Sequence, residues 1–409
     1  MADADPDIPD AGADADEATL IAQKVDQAAD ALARLDIDCW LTYCRETAAT
    51  PDPSLPLLLD FDVVWPTAVL VTREGRSAVV LGRHDAPNAR ELGVHEVVPY
   101  DESIRPPLLE LLEETDPDRI ALNYDEDDPM ADGLSHGLYL RLRETLADTP
   151  YADALVGGGD LVAEVRGRKS EAELARIAAA VETTEEYLRG VREAYRPDWT
   201  ERDVSSHLHA RMDDAGFDPS WSRAYCPAVH AGGDAEVGHT KPGDRTVRPG
   251  ELLHVDFGVT VRGYAADIQR VYYRPRDGEA PPKDLRAAFE DVRAAIRAGF
   301  EVLEPGAVGH EVDDAARTAI TDRGREEYPH ALGHQVGREA HDGATLLGPE
   351  WDRYGDAPRR EVRAGEVYTL ELGVETDYGY VGGEEMVLVG DEGARYLSDP
   401  QEEIWTLSA

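Results

Sequence analysis

Apolar positions recur at three- and four-residue steps through Leu20, Ile21, Val25, Ala28, Leu32 and Leu35, and predict an amphipathic helix over Thr19–Leu35. Short β-rich runs then alternate with helical ones. Strands are expected at Cys39–Tyr43, Thr67–Thr72, Ser77–Leu81, Glu96–Pro99 and Arg119–Asn123, and helices near Pro107–Glu114 and Leu134–Leu146. That alternation defines an α/β domain over residues 18–155. Gly157-Gly158-Gly159 punctuates the chain, and a second domain is expected over 160–409. It opens on a helix with Ser170 and Glu173 as a capping box and a stripe of Leu174, Ile177, Val181 and Leu188. Thr200 with Asp203 is a second box, opening a helix to about Asp214. Strand patterns at Leu252–Val261 and Tyr264–Tyr273, helices at Leu285–Leu303 and Gly309–Arg323, and strands at Glu366–Val374 and Tyr380–Val389 complete an α+β domain.

Composition narrows the classes. The chain has 409 residues, and no apolar run approaches the ~18 residues of a membrane span, so no membrane partner is expected. The first residues, Met-Ala-Asp-Ala-Asp-Pro, lack the basic-then-apolar order of an export signal, which points to the cytoplasm. Cys39, Cys44 and Cys226 are an odd, sparse set without CxxC spacing and read as free thiols. The 84 acidic residues against 41 basic ones leave a net charge of −43, which argues against a nucleic-acid partner. Only Lys24, Lys169, Lys241 and Lys283 are lysine, a composition similar to proteins of salt-accumulating cytoplasms, where self-repulsion is screened. Residues 1–17, mostly Asp, Ala, Pro and Gly, read as a disordered acidic tail.

Candidate chemistry concentrates in Asp256-Phe-Gly-Val-Thr-Val-Arg-Gly-Tyr-Ala-Ala-Asp267-Ile-Gln-Arg270. Strand patterns flank Arg262-Gly263, so the segment reads as a hairpin turning there, with Asp256 and Asp267 opposite each other on one face. Two half-buried carboxylates that close need a cation between them, unless the hairpin is a solvated surface feature. Downstream stand His330-Ala-Leu-Gly-His334, His341, Glu371 inside an apolar strand, and Glu384-Glu385 beginning another. Asp256, Asp267, His334, Glu371 and Glu384 supply enough donors for two metals. His330 and His334 also have the HxxxH spacing of a zinc helix, although Ala331 stands where such a site has its general-base Glu.

The hairpin, His334, Glu371 and Glu384 resemble the dimetal pita-bread metallopeptidases, in particular the prolidase and aminopeptidase P group. Arg166-Gly-Arg-Lys169-Ser170-Glu171 is similar to that family's entry into its catalytic domain. The resemblance implies a creatinase-like α/β amino-terminal domain followed by an α+β pita-bread catalytic domain. It implies Asp256, Asp267, His334, Glu371 and Glu384 as ligands of two divalent metals bridged by hydroxide, manganese first, with cobalt or zinc as alternatives. It further implies that His239 contacts substrate, that His341 polarises the scissile carbonyl, that Glu371 shuttles the proton, and that the protein is a homodimer. The expected activity is hydrolysis of Xaa-Pro dipeptides or amino-terminal Xaa-Pro peptides. Rival readings on the same scaffold are a hydrolase or lyase for a small non-peptide substrate, similar to ectoine hydrolases or dimethylsulfoniopropionate lyases, and a metal-free binding module.

Three positions depart from the family pattern. Gly382 replaces an arginine that ties down the first aspartate, Leu372 replaces a proline, and Val271 replaces a threonine. At Gly382 two arrangements are expected: Arg223, Arg338 or another arginine fills the place, or the vacated space takes a substrate group. His230 stands where the family has a small residue and is expected to fill space. Trp351 and Tyr354 either shape the substrate pocket or pack.

Overall fold

The computed structural model describes residues 15–235, 237–238 and 240–407. They form two compact units, Ala15–Ser170 and Glu171–Ala409.

In the first unit six strands lie in the spatial order Glu96–Tyr100, Ser77–Gly82, Thr67–Thr72, Cys39–Cys44, Ile120–Leu122 and Leu155–Gly157, with mixed parallel and antiparallel pairing. Alternate side chains enter separate cores. Trp40, Val69, Val71 and Val79 pack with Ile21, Val25 and Leu32 of helix Glu17–Leu35, whereas Leu41, Leu70 and Val80 pack with Leu108, Leu112, Leu138 and Leu142. A sheet covered on both faces explains why these strands read as unbroken apolar runs. Helix Gly159–Gly167 belongs here, with Leu161, Val162 and Val165 in the first of those cores. The buried Lys24 Nζ donates to Val165 O and Arg168 O, both at 2.8 Å, capping that helix's carboxyl end. The division therefore falls after Ser170, beyond the 155–160 boundary read from the glycine run. Of the tail expected over 1–17, residues 1–14 lie outside those described, while Asp16 caps the first helix by accepting from Thr19 N at 2.8 Å and Glu17 opens it.

The second unit begins with helices Glu171–Ala194 and Glu201–Ala215, the latter opened by the Thr200/Asp203 capping box. A four-stranded sheet follows in the order Trp405–Thr406, Ile268–Tyr273, Leu252–Phe257, Ala228–Ala231, and a three-stranded one in the order Val367–Thr376, Gly379–Gly390, Gly393–Tyr396. Helices Lys283–Val302 and Gly309–Thr321 bury Phe289, Val292, Ile296, Val312 and Ile320 against Leu370, Leu372, Val374, Val381 and Val387. Leu372 and Val271 both belong to this apolar core. Two of the three departures from the family pattern are thus packing positions. No helix among the described residues is long and apolar enough to cross a membrane, and Cys39, Cys44 and Cys226 are free and buried.

Candidate metal centre

The hairpin turns at Arg262-Gly263 as its sequence suggested, but in a different register. Arg262 and Gly263 both have positive φ, 51° and 78°, and form a two-residue turn closed by the pair Val261 and Tyr264. Counting outward, Asp256 lies opposite Gln269, not Asp267. The turn centre sits one residue later than the 256–267 midpoint, so the partner shifts by two. Because side chains alternate with period two, a shift of two keeps Asp256 and Asp267 on one face, diagonally related. Between them, Gly258 permits a close approach: a Cβ there would lie 1.8 Å from Ala266 O.

Opposite this hairpin, Glu371 and Glu384 are direct cross-strand partners. His334 joins them because its short strand runs beside the Glu371 strand, held by Glu371 N donating to Leu332 O at 2.7 Å and by the Gln335–Tyr368 bridge. His334 Nε2 lies 3.8 Å from Asp267 Oδ2 and 3.7 Å from Glu371 Oε1. One donor atom from each of Asp267, His334 and Glu384 falls within 4.8 Å of the others. Asp267 also lies against Asp256. Asp256 Oδ1 and Glu384 Oε2 are buried without a hydrogen-bond partner.

Electrostatics give this geometry its meaning. Burial, with Glu371 nearby, pushes the Asp256 carboxyl up to about 7. Burial does the same to Glu371, and raises Asp267 and Glu384 well above the usual carboxylate range with their neighbours' charges adding to it. Burial, with His341 alongside, lowers the His334 imidazole to about 3, leaving a neutral ring beside the carboxylates. Four crowded carboxylates with orphaned oxygens and a neutral imidazole are a donor set fitted to divalent cations.

The scaffold is held by Arg270. Its guanidinium is buried and donates to Glu384 O at 3.0 Å, to both Glu385 oxygens at 3.1 Å, to Glu185 Oε1 at 3.3 Å and to Asp399 O at 2.9 Å. It ties the strand after Asp267 to the strand bearing Glu384 and to helix Glu171–Ala194.

The exposed His341 ring sits 4.1 Å from His334, edge to face, beside the donor set. His239 lies outside the described residues. His330 occupies a bend, not a helix, and its Nδ1 meets Ala331 O at 2.8 Å, so the HxxxH zinc helix does not form. Trp351 and Tyr354 stack on each other at 5.8 Å with Arg353 over both.

Neither arrangement expected at Gly382 is found. Arg223 pairs with Asp213 at 2.7 Å, and Arg338 lies over the Tyr264 ring. The space is already filled: a Cβ at 382 would stand 2.5 Å from His254 Nε2, 2.7 Å from Tyr380 Cε1 and 2.8 Å from Gln269 Oε1. The Tyr380 ring also covers Gly373, the cross-strand partner of Gly382, where a Cβ would lie 2.3 Å from Cζ. Nor does His230 merely fill space. Its ring stacks on His254 with the two Nδ1 atoms 3.1 Å apart. His254, Gln269 and Tyr380 escaped the sequence reading, although strand alternation flags the first two, each two residues from an aspartate on the same face.

Residues 175–391 match metallopeptidase family M24, and the chain belongs to that family. It is 32% identical over 214 residues to an Xaa-Pro dipeptidase of Lactobacillus delbrueckii subsp. lactis, covering 51% of this chain and 55% of that protein. It is 27% identical over 247 residues to an Xaa-Pro dipeptidase of Pyrococcus horikoshii, covering 60% and 66%. The match thus spans between about half and two thirds of these relatives' length. The fold is similar to an X-Pro aminopeptidase from Thermotoga maritima, with TM-score 0.73, 22% identity and coverage of 92% of this chain and 99% of that one. An Xaa-Pro dipeptidase from Bacillus anthracis gives TM-score 0.72, 21% identity and coverage of 95% and 100%. The architecture is the creatinase-like α/β domain followed by the pita-bread domain.

Proposed function

We propose that this chain is a dimetal-dependent peptidase that cleaves the amide bond before proline in Xaa-Pro dipeptides or amino-terminal Xaa-Pro peptides. The observation that carries the reading is the clustering of two buried carboxylates, Asp267 and Glu384, two half-buried ones, Asp256 and Glu371, and a neutral imidazole. The named activities of the M24 relatives support the substrate class. Asp256, Asp267, His334, Glu371 and Glu384 would hold two divalent ions, which supply Lewis acidity toward the scissile carbonyl and an attacking water. The mostly oxygen donor set favours manganese over zinc or cobalt.

Glu371 is the proton carrier. Its Oε2 accepts from Gln269 Nε2 at 2.9 Å, which leaves Oε1 to take the proton of the attacking water and pass it to the departing amine. His341, beside His334 at the open side of the donor set, donates to the carbonyl oxygen as negative charge develops there. His239 orients the peptide.

Profiling at high salt with manganese tests the reading. Xaa-Pro substrates should reach ~10⁴ M⁻¹s⁻¹ or better in kcat/KM, with other Xaa-Yaa peptides and ectoine well below. Faster turnover of ectoine or of non-proline peptides would overturn it. In the same assay His341→Ala should lower kcat by ~10²-fold with metal content unchanged. Loss of metal in that variant would make His341 a ligand instead.

We further propose a reduced, salt-rich cytoplasmic setting and a homodimer. The free buried cysteines fit a reducing compartment, and the dimer follows from the family resemblance. The net charge of −43 predicts a loosened fold in dilute buffer, with a melting midpoint that rises by several degrees or more in molar potassium chloride. A midpoint that does not move with salt refutes the salt-adapted reading.

A further inference from the structure

Four polar side chains line up behind Glu371. Gln269 Nε2 meets Glu371 Oε2 at 2.9 Å, Gln269 Oε1 meets His254 Nε2 at 3.0 Å, His254 Nδ1 meets His230 Nδ1 at 3.1 Å, and His230 Nε2 meets Thr240 Oγ1 at 3.5 Å. His230 and His254 are 5% and 2% exposed, and Gln269 is 7% exposed. Buried polar atoms in such a row must alternate donor and acceptor, and the carboxylate end sets the direction. Ionised, as a metal ligand would be, Glu371 only accepts, so Gln269 turns its NH₂ toward it and its oxygen toward His254. That oxygen accepts from His254 Nε2–H, which makes His254 Nδ1 an acceptor. His230 Nδ1–H is then the donor across the 3.1 Å gap, with the Thr240 hydroxyl 3.5 Å from its Nε2 and the Gly238 backbone also in hydrogen-bond reach of the ring.

We propose that His230, His254 and Gln269 form a directional, uncharged relay that positions Glu371, with Gln269 as the positioning residue and the histidine pair fixing which way its amide faces. The relay occupies the place vacated at Gly382, and the Tyr380 ring, 5.1 Å from His254 and perpendicular to it, closes it against the two facing glycines. An arginine at 382 would bring a charge to the donor set. The relay instead brings one neutral amide, which meets Glu371 Oε2 at 2.9 Å and also reaches Glu384, and leaves the acidity of the cluster for the metals to balance. Its far end is Thr240, the residue after His239 in the sequence. Partners of this kind typically contribute 10–100-fold to metal affinity or activity.

The proposal rests on the dimetal reading, and its test separates the two. In zinc-loaded protein with ¹⁵N-labelled histidine, His254 should show the Nε2–H tautomer and His230 the Nδ1–H tautomer. The opposite assignment reverses the relay and overturns the proposal, whether or not the protein is a peptidase. Gln269→Met and His254→Leu should each weaken manganese binding, titrated into metal-free protein, by ~10-fold or more. Both should lower kcat by ~10–100-fold with KM changed less than about threefold. His254→Gln, which keeps a donor facing Gln269, should recover most of both losses. Equal loss in His254→Gln and His254→Leu, or wild-type manganese affinity in Gln269→Met, would reduce these residues to packing. Absence of peptidase activity in the wild-type protein would defeat the function alone.

Discussion

Replacing Glu384 or Asp267 with alanine should abolish peptidase activity, lowering kcat/KM by on the order of 10³-fold or more, about 4 kcal/mol of transition-state stabilisation, together with bound metal. Both side chains are almost fully buried and contribute to the tightest donor group, so no neighbouring carboxylate can take their place. The effect on stability should change sign with metal. In metal-free protein, burial and the surrounding charges push Glu384 and Asp267 far above their ordinary range, so deleting either relieves repulsion and the variant should melt at or above the wild type. In metal-loaded protein the wild type gains binding energy that the variant lacks, and the order should invert. Metal analysis and melts in chelator and in manganese read both halves. Retained activity, or a metal-free variant that melts well below the wild type, would show that these carboxylates do not form a metal centre.

Arg270→Ala should be the most destabilising single change in the catalytic unit. The substitution leaves Glu385 buried without its cation, strips Glu185 of one partner and frees the carbonyls of Glu384 and Asp399. Breaking a buried pair from one side costs about 3–5 kcal/mol. At this chain length that lowers the melting midpoint by roughly 4–6 °C. Because the cost comes from the stranded acid, Arg270→Met combined with Glu385→Leu should recover a large part of it. A loss below about 1 kcal/mol for Arg270→Ala, or a double variant no better than the single one, would mean the network does not hold the strands together.

Much of this architecture was legible along the chain because its signals are local. Thr67–Thr72, the Thr200/Asp203 box and the amphipathic helices follow from alternation, helical periodicity and capping chemistry, each complete within a dozen residues. The face shared by Asp256 and Asp267 survived an error in register because side-chain direction repeats every two residues, while the register depended on turn geometry at Arg262 and Gly263 that spacing does not encode. Helix Gly159–Gly167 went with the first unit because its contacts to Lys24 lie far back in the chain, where a local glycine run carries no information.

Sequence by itself determined which residue types could form the donor set, since acids and a histidine embedded among strand-forming apolar residues are costly without a cation. Only the tertiary structure decided that Glu371 faces Glu384, that His334 enters from a separate strand, and that Leu372 and Val271 point into the core. It also decided what occupies the place of the missing arginine. Gly382 reads as a vacancy in the chain, yet His254, Gln269 and Tyr380 arrive there from two other strands and from its own. Packing fills space from every direction at once, whereas a sequence records only the neighbours along one line.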